Sequence, residues 1–440
     1  MTEVTDFKEL IISRFGDFVK SLNGSSPVLL NSIRNEALES FSRIKLPTTK
    51  DEEWRFTNIS PLLRYNFNPV VEKHEITAKE IAHFHLKDSF KNQIVFVDGI
   101  YSDGLSLSNG LDKIIKIENL SVAFNANHEL FQKHFNKYAG FQENVFTTLN
   151  TAYAKDGAFI YIPENKSIEE PILVLFISTS SNNQPLIQPR NLFIAGANSK
   201  ATIIEHYVSL ENNIYFTNAV TEIVVGENAT LNHIKIQEES RSSFHISRTE
   251  IDQERNSNYE SASISFGAEI SREDISSRFN GEGGECTLNG LYLTDGTQLH
   301  DTHTMIDHAK PYCNSHEHFK GILDGKSRGV FNGKVMVRPN AQKTNAFQEN
   351  NNIILSNEAL VNTKPQLEIF ADDVKCSHGA TIGQLDDESM FYLKSRGIGE
   401  ETARTILIHA FASDVVKSIK VDSIKKYLED ILDNRFNKES

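Results

Sequence analysis

The chain has 440 residues, 45 Lys and Arg against 59 Asp and Glu, and a formal net charge of −14. That balance argues against a nucleic-acid surface, which needs clustered cations, while 39% hydrophobic and 24% charged residues support a sizeable core rather than disorder. Apolar runs fall short of the roughly 18 residues of a membrane span, the start Met1-Thr2-Glu3-Val4-Thr5-Asp6 lacks a leader's apolar core, and three scattered cysteines fit a reducing cytoplasm better than a disulfide framework.

The first segment reads as helix, because Phe7, Leu10, Ile11, Phe15, Phe18, Val19 and Leu22 recur at three- and four-residue spacing. Asn23-Gly24-Ser25-Ser26-Pro27 ends it with loop chemistry. A second helix follows around Ile33, Ala37, Leu38 and Phe41. Both stripes suit core packing in an N-terminal region, with partner docking as the alternative. Residues 93–117 carry short apolar runs with Gly and Asp turns. Residues 119–154 read as helical again, with Phe131, His134, Phe135 and Tyr138 on one face.

From Asp156-Gly157 to about residue 385 the chain reads as β. Phe159-Ile160-Tyr161-Ile162 and Ile172-Leu173-Val174-Leu175-Phe176-Ile177 are β-branched or aromatic runs between turn residues. Ala262, Ile264 and Phe266 alternate with Ser263 and Ser265, while His233 falls off the apolar beat of Leu231, Ile234 and Ile236. No helical period interrupts the stretch, which excludes alternating βαβ units. Gly196-Ala197-Asn198 and Gly226-Glu227-Asn228 each follow an apolar strand and precede Ala-Thr and a new strand. A repeat of about 30 residues points to a stacked-coil solenoid, whose tight corners suit Asn and Gly. A large β-sandwich is the alternative. The tail returns to helix, with one stripe at Ala403, Ile406, Leu407, Ala410 and Phe411 and another at Ile424, Tyr427, Leu428, Ile431 and Leu432. Such helices suit a cap over the solenoid's open end.

Chemistry is sparse. Gly321-Ile322-Leu323-Asp324-Gly325-Lys326-Ser327 and Gly329-Val330-Phe331-Asn332-Gly333-Lys334 look like phosphate loops, but their glycines stand one residue too close for a Walker A cradle, so β-turns are expected. His300, His303, His308, Cys313, His316 and His318 are ligand types without a standard metal spacing, and polar ladders on an exposed sheet face are the plainer expectation. Cys376-Ser377-His378-Gly379 is sharper. Two residues apart on a strand, Cys376 and His378 share a face. They offer half of a metal site, or else a buried Cys beside a hydrogen-bonded His. No nucleophile–base–acid set and no Gly-x-Ser-x-Gly elbow is legible.

Around Cys376-Ser377-His378-Gly379-Ala380-Thr381 the chain resembles the SufB/SufD family of iron–sulfur cluster assembly scaffolds. Phe331-Asn332-Gly333-Lys334, Ala341-Gln342-Lys343-Thr344, Leu367-Glu368-Ile369 and Ala371-Asp372-Asp373-Val374-Lys375 carry the likeness upstream. Phe391-Tyr392-Leu393 and Ser395-Arg396-Gly397-Ile398 carry it downstream. Asp156-Gly157-Ala158-Phe159 and Leu46-Pro47 running to Glu53-Trp54-Arg55-Phe56-Thr57 extend it over nearly the whole chain. Ser377-His378-Gly379-Ala380, Leu393 after Phe391-Tyr392, and the Glu-Glu-Trp-Arg run match the SufD branch rather than SufB.

The resemblance implies a mainly β fold, a right-handed parallel β-helix flanked by helical terminal regions. It implies divisions at 1–155, 156–390 and 391–440, the last docking an ATPase. It implies a non-catalytic scaffold in complex with SufB and the SufC ATPase, while charge, apolar runs and cysteines point to a cytoplasmic chain with neither nucleic acid nor membrane as partner. A transient iron–sulfur cluster would lie at the SufB interface, with His378 facing it and Cys376 a ligand or a neighbour. A homodimer is left open for the chain in isolation. The alternative of another class is a solenoid carbohydrate-active enzyme, which would need aligned carboxylates along a groove.

Overall fold

The structure, a computed structural model, describes residues 6–22, 28–81, 84, 90–108, 110–126, 128–142, 144–179 and 184–436. Residues 1–5 and the predicted loop at 23–27 lie outside the described residues.

Two long sheets face each other. The first contains, in order, Arg190–Ala195, Phe216–Val225, Phe244–Gln253, Ile270–Phe279, Leu299–His308, Arg328–Val337 and Leu360–Ile369. The second contains Ile172–Ser178, Lys200–Ser209, Thr230–Glu238, Asn258–Ser265, Glu285–Thr294, Asn314–Leu323, Asn345–Ile354 and Lys375–Gly383. The chain alternates between the sheets, and each of these strands pairs in parallel with its neighbour in the same sheet. The fold is a parallel β-solenoid of about 8 turns with helices at both termini, which excludes the sandwich.

The corners explain why this sequence coils. Asn165, Asn198, Asn228 and Asn256 all sit at positive φ, between 52° and 60°, a region Asn tolerates better than most residues. Their side chains also stack. Asn198 donates to Asn165 at 3.0 Å, Asn228 to Asn198 at 3.1 Å, and Asn256 to Asn228 at 3.2 Å. The two Gly-x-Asn echoes are thus consecutive corners of one ladder. Gly283, φ 72°, ends it, because a Cβ there would stand 2.4 Å from the Asn256 side-chain oxygen Oδ1.

Helices cover the outside of the coil. Phe7–Ser21, Val28–Arg43 and Val145–Tyr153 bury Phe15, Phe18, Phe41 and Leu149 together with Phe216, Phe244 and Ile270 of the first sheet. The predicted helical stretch 119–154 is broken into Leu120–Ala126, His128–His134 and Val145–Tyr153. Glu222 fixes part of that break. Its buried carboxylate accepts the backbone N–H groups of Asn136, Tyr138 and Ala139 at 2.7–2.9 Å and the Arg190 guanidinium at 2.8 Å.

Glu400–Ser418 and Asp422–Phe436 lie on the outer face of the second sheet, not over the solenoid's end as the sequence suggested. Their buried residues include Ala403, Ile408, Ala412, Val415, Ile424, Leu428 and Leu432. Of the expected first stripe only Ala403 is buried, and Ile406 is exposed. Apolar residues surround that helix, so spacing alone did not select the docking face. The sheet supplies Ile234, Ile236, Ala262, Ile264, Leu291 and Ile322 to the same cluster. This resolves the missed beat at His233. Leu231 and His233 point into the coil, while Ile234 and Ile236 point out beneath the helices. Among the described residues, no helix is long and apolar enough to cross a membrane.

Candidate functional site at the open end of the solenoid

The two ends of the coil differ. Near the N-terminal end, Lys116–Asn119 pairs antiparallel with Ala158–Ile162, and Ile100–Tyr101 pairs antiparallel with Asn92–Val97. At the other end Leu360–Ile369 and Lys375–Gly383 are the terminal strands of their sheets. Their outer edges pair with no strand among the described residues. Leu360, Phe370 and Ile382 are 51%, 61% and 48% exposed around this end. A cleft of about 690 Å³ opens beside it between Lys50, Arg55, Phe56, Val361, Lys364 and Ile382. Unpaired edges with exposed apolar groups are the features that proteins otherwise cover.

Cys376 and His378 lie on the last strand, on one face as their spacing predicts. In register, Cys376 pairs with Ala346 and His378 with Gln348. That face points into the coil, because Gln348 is only 2% exposed and donates from Nε2 to Glu317 Oε1 at 3.0 Å. Glu317 also accepts the Thr304 hydroxyl from across the coil. Glu317, Gln348 and His378 therefore form one column of successive rungs. No rung covers His378, so its imidazole is exposed. Cys376 is half-buried against Val335, Val337, Ala341, Ala346 and Ala371, and burial pushes its thiol up.

The column continues a polar interior that spacing did not reveal. Lys235 Nζ lies 3.0 Å from Glu273 and 2.5 Å from the Ser247 hydroxyl. His233 bridges Glu205 and the Tyr259 hydroxyl, each at 2.9 Å. His245 meets Glu239 at 2.6 Å. Burial pushes Glu317 up to about 7, since its partners are a hydroxyl and an amide rather than a cation. Glu273 differs. Burial would raise it too, but the Lys235 ammonium holds its carboxyl below the usual range. The signal that finds Glu317 and Gln348 is the register, which needs every corner to be placed.

The histidine-rich stretch does not form one site. His300 and His308 are buried inside the coil, and burial pushes both down to about 4. His316 stacks outside on Phe347 at 5.5 Å. Cys313 is buried at a corner, within 3.5 Å of the Gly281 and Pro311 carbonyls. His300 and His308 continue a polar ladder inside the coil, whereas His318 stands in register between Asn289 and Glu349 on the outer face of the second sheet, the exposed-face ladder that the sequence suggested. No group of three His, Cys, Asp or Glu among the described residues could hold a metal ion. Of the two loop look-alikes, Asp324-Gly325-Lys326 is a turn, but Gly329–Lys334 lies wholly within a strand.

His303 instead anchors the Glu-Glu-Trp-Arg run. Its Nε2 lies 3.0 Å from Asp301 and its Nδ1 3.2 Å from Glu53. Burial alone would lower His303, but Asp301 and Glu53 hold it up at about 9. Arg272 packs 3.8 Å from the Trp54 ring and donates to the Glu53 carbonyl at 2.7 Å. This motif fastens the N-terminal region to the first sheet.

Fold and site thus define a parallel β-solenoid protein with flanking helices and an uncovered terminal rung. Residues 176–411 match the family described as SUF system FeS cluster assembly, SufBD core domain, and residues 6–174 match the SufBD protein N-terminal region. The chain is 35% identical to an iron–sulfur cluster assembly SufBD family protein of Synechocystis, covering 92% of this chain and 90% of that one. It is 32% identical to the iron–sulfur cluster assembly protein SufD of Escherichia coli over 88% of this chain and 89% of that one. Against SufD of Bacillus subtilis the identity is 27%, over 95% and 97%. The chain belongs to the SufB/SufD family of iron–sulfur cluster assembly proteins and is SufD-like.

Proposed function

We propose that the chain is a non-catalytic scaffold subunit of a cytoplasmic SUF complex. It pairs with SufB through the open end of the solenoid and binds the SufC ATPase through its C-terminal helical region, residues 391–440. Residues 156–390 form the solenoid core and 1–155 the N-terminal region. The iron–sulfur cluster is cargo, held transiently at the SufB interface. One observation carries this reading: the last rung is uncovered and leaves His378 exposed at the open end beside an exposed apolar rim. Imidazole is a competent iron ligand. One imidazole leaves a cluster under-coordinated, so the site is completed only by a second chain. Cys376 is a neighbour rather than a ligand, because it packs against the apolar end of the coil. In isolation, the same edge would accept a second copy of this chain.

Reconstitution of the complex with SufB and SufC tests this. His378→Ala should lose most iron and sulfide per complex while keeping its circular dichroism and its SufC. Cys376→Ala should have the milder effect. A fully loaded His378→Ala complex would refute the ligand role.

A further inference from the structure

The Gln348 side chain is held on two sides. Its Nε2 donates to Glu317 at 3.0 Å. Against the first sheet it packs on Gly333, where a Cβ would stand 2.3 Å from Nε2. In this arrangement the amide nitrogen is turned toward Glu317 and the oxygen away from it. Oε1 is buried and has no hydrogen-bond partner among the described residues. A buried carbonyl without a donor is unfavourable and calls for an explanation.

The next rung explains it. Parallel strands stand about 4.8 Å apart, and the residue stacked on Gln348 is His378. Along that strand the inward neighbours are Cys376, packed into apolar surroundings, and Ala380, which has no donor. Thr363 on the facing strand also has an unpartnered hydroxyl, so it and Gln348 do not bond to each other. The exposed imidazole can turn about its χ angles to bring a ring N–H down.

We propose that Gln348 is a positioning residue for His378: its side-chain oxygen accepts one imidazole N–H and fixes which ring nitrogen faces out of the solenoid's open end. This rests on the reading of His378 as a ligand. The chemistry is general. A neutral imidazole has one N–H and one lone pair, and a hydrogen bond at one nitrogen leaves the other as the ligand. Gln348 thus passes order from the closed interior, through Glu317 and Thr304, to the one imidazole at the edge.

The test is nitrogen-15 NMR of the full-length chain labelled at histidine, with the His378 signals assigned by their loss in His378→Ala. In the neutral form, wild-type His378 should show one dominant tautomer. Gln348→Met, which keeps the volume but has no acceptor oxygen, should show the mixed tautomers of an exposed imidazole. Gln348→Glu, which keeps an acceptor, should restore the single form. In the reconstituted complex, iron and sulfide should fall severalfold with Gln348→Met and recover with Gln348→Glu. A mixed population in the wild type overturns the proposal, as does a single tautomer in Gln348→Met. The wild-type spectrum decides even if Gln348→Met does not fold. The two readings fail separately: a loaded His378→Ala complex sinks the ligand role, whereas an unmoved tautomer sinks only the role of Gln348.

Discussion

Glu317 is a buried acid without a cation, so replacing it by its neutral isostere should stabilise the protein. Burial raises its folded value to about 7 from the ordinary 4.5. Between those values the unfolded chain loses the proton and the folded chain keeps it. The folded state then binds more protons, so stability falls as pH rises through this window and levels off above about 7. The gap of about 2.5 units, at 1.36 kcal/mol each, amounts to roughly 3 kcal/mol at pH 8. Glu317→Gln removes that cost. Its amide can still accept from Gln348 and can donate to Thr304, so the contacts survive. Urea unfolding from pH 5 to pH 8, followed by circular dichroism, measures it. The variant should gain under about 1 kcal/mol at pH 5 and roughly 3 kcal/mol at pH 8. Glu273→Gln is the control of opposite sign, because it leaves the buried Lys235 ammonium without its carboxylate and should destabilise at neutral pH. A Glu317→Gln gain that is absent at pH 8, or equal at both pH values, would show that Glu317 is ionised in the fold and the argument wrong.

Glu222→Ala should cost about 3–5 kcal/mol, since it strands the buried Arg190 charge and frees three backbone N–H groups. A loss below about 1 kcal/mol in urea would contradict that. For SufC docking, the helix Asp387–Ser395 has no buried residue, and Phe391 and Tyr392 are 72% and 56% exposed. The double change to Ala should weaken SufC capture at least tenfold without moving the melting temperature; full capture would exclude this helix from the contact. Deleting everything after Phe391 is a poorer probe, because it bares Ile234, Ile236, Ile264 and Leu291. Loss of solubility is the expected result.

The coil was legible because its corners are chemical. A Gly-x-Asn turn announces a positive φ wherever it falls, and two of them in series give the repeat. The pairing of Cys376 with His378 was legible for a similar reason, since strand parity is a rule of covalent geometry. Which face looks inward was not. Ser261, Ser263 and Ser265 share the interior with Glu273 and Lys235, while Ala262, Ile264 and Phe266 face out. Alternation fixes two faces but cannot say which is the core when helices far along the chain, from Glu400 on, cover the outside. The same limit hid Gln348. Its role depends on stacking beneath His378, and register across a corner is set by the corner's length, not by any local pattern.

The asymmetry of the two ends bears most on function. The chain has amphipathic helices enough to cover an edge, yet it places them on the sides. Glu400–Ser418 and Asp422–Phe436 bury apolar residues on the second sheet and are tied there by Lys320 to Asp414 at 2.7 Å and Arg435 to Asp295 at 3.1 Å. They are not available to swing over the last rung without exposing that face. At the N-terminal end, by contrast, antiparallel strands interrupt the parallel stack. An uncovered edge invites pairing with any strand that fits it. Here the edge also carries the top of a polar column that runs down through Gln348 to Glu317. The buried Gln348 oxygen without a donor lies directly beneath the exposed His378 of the last rung. The proposed meeting with a second chain, with the imidazole held in one orientation at the seam, would account for both the uncovered edge and the placing of Gln348 beneath it.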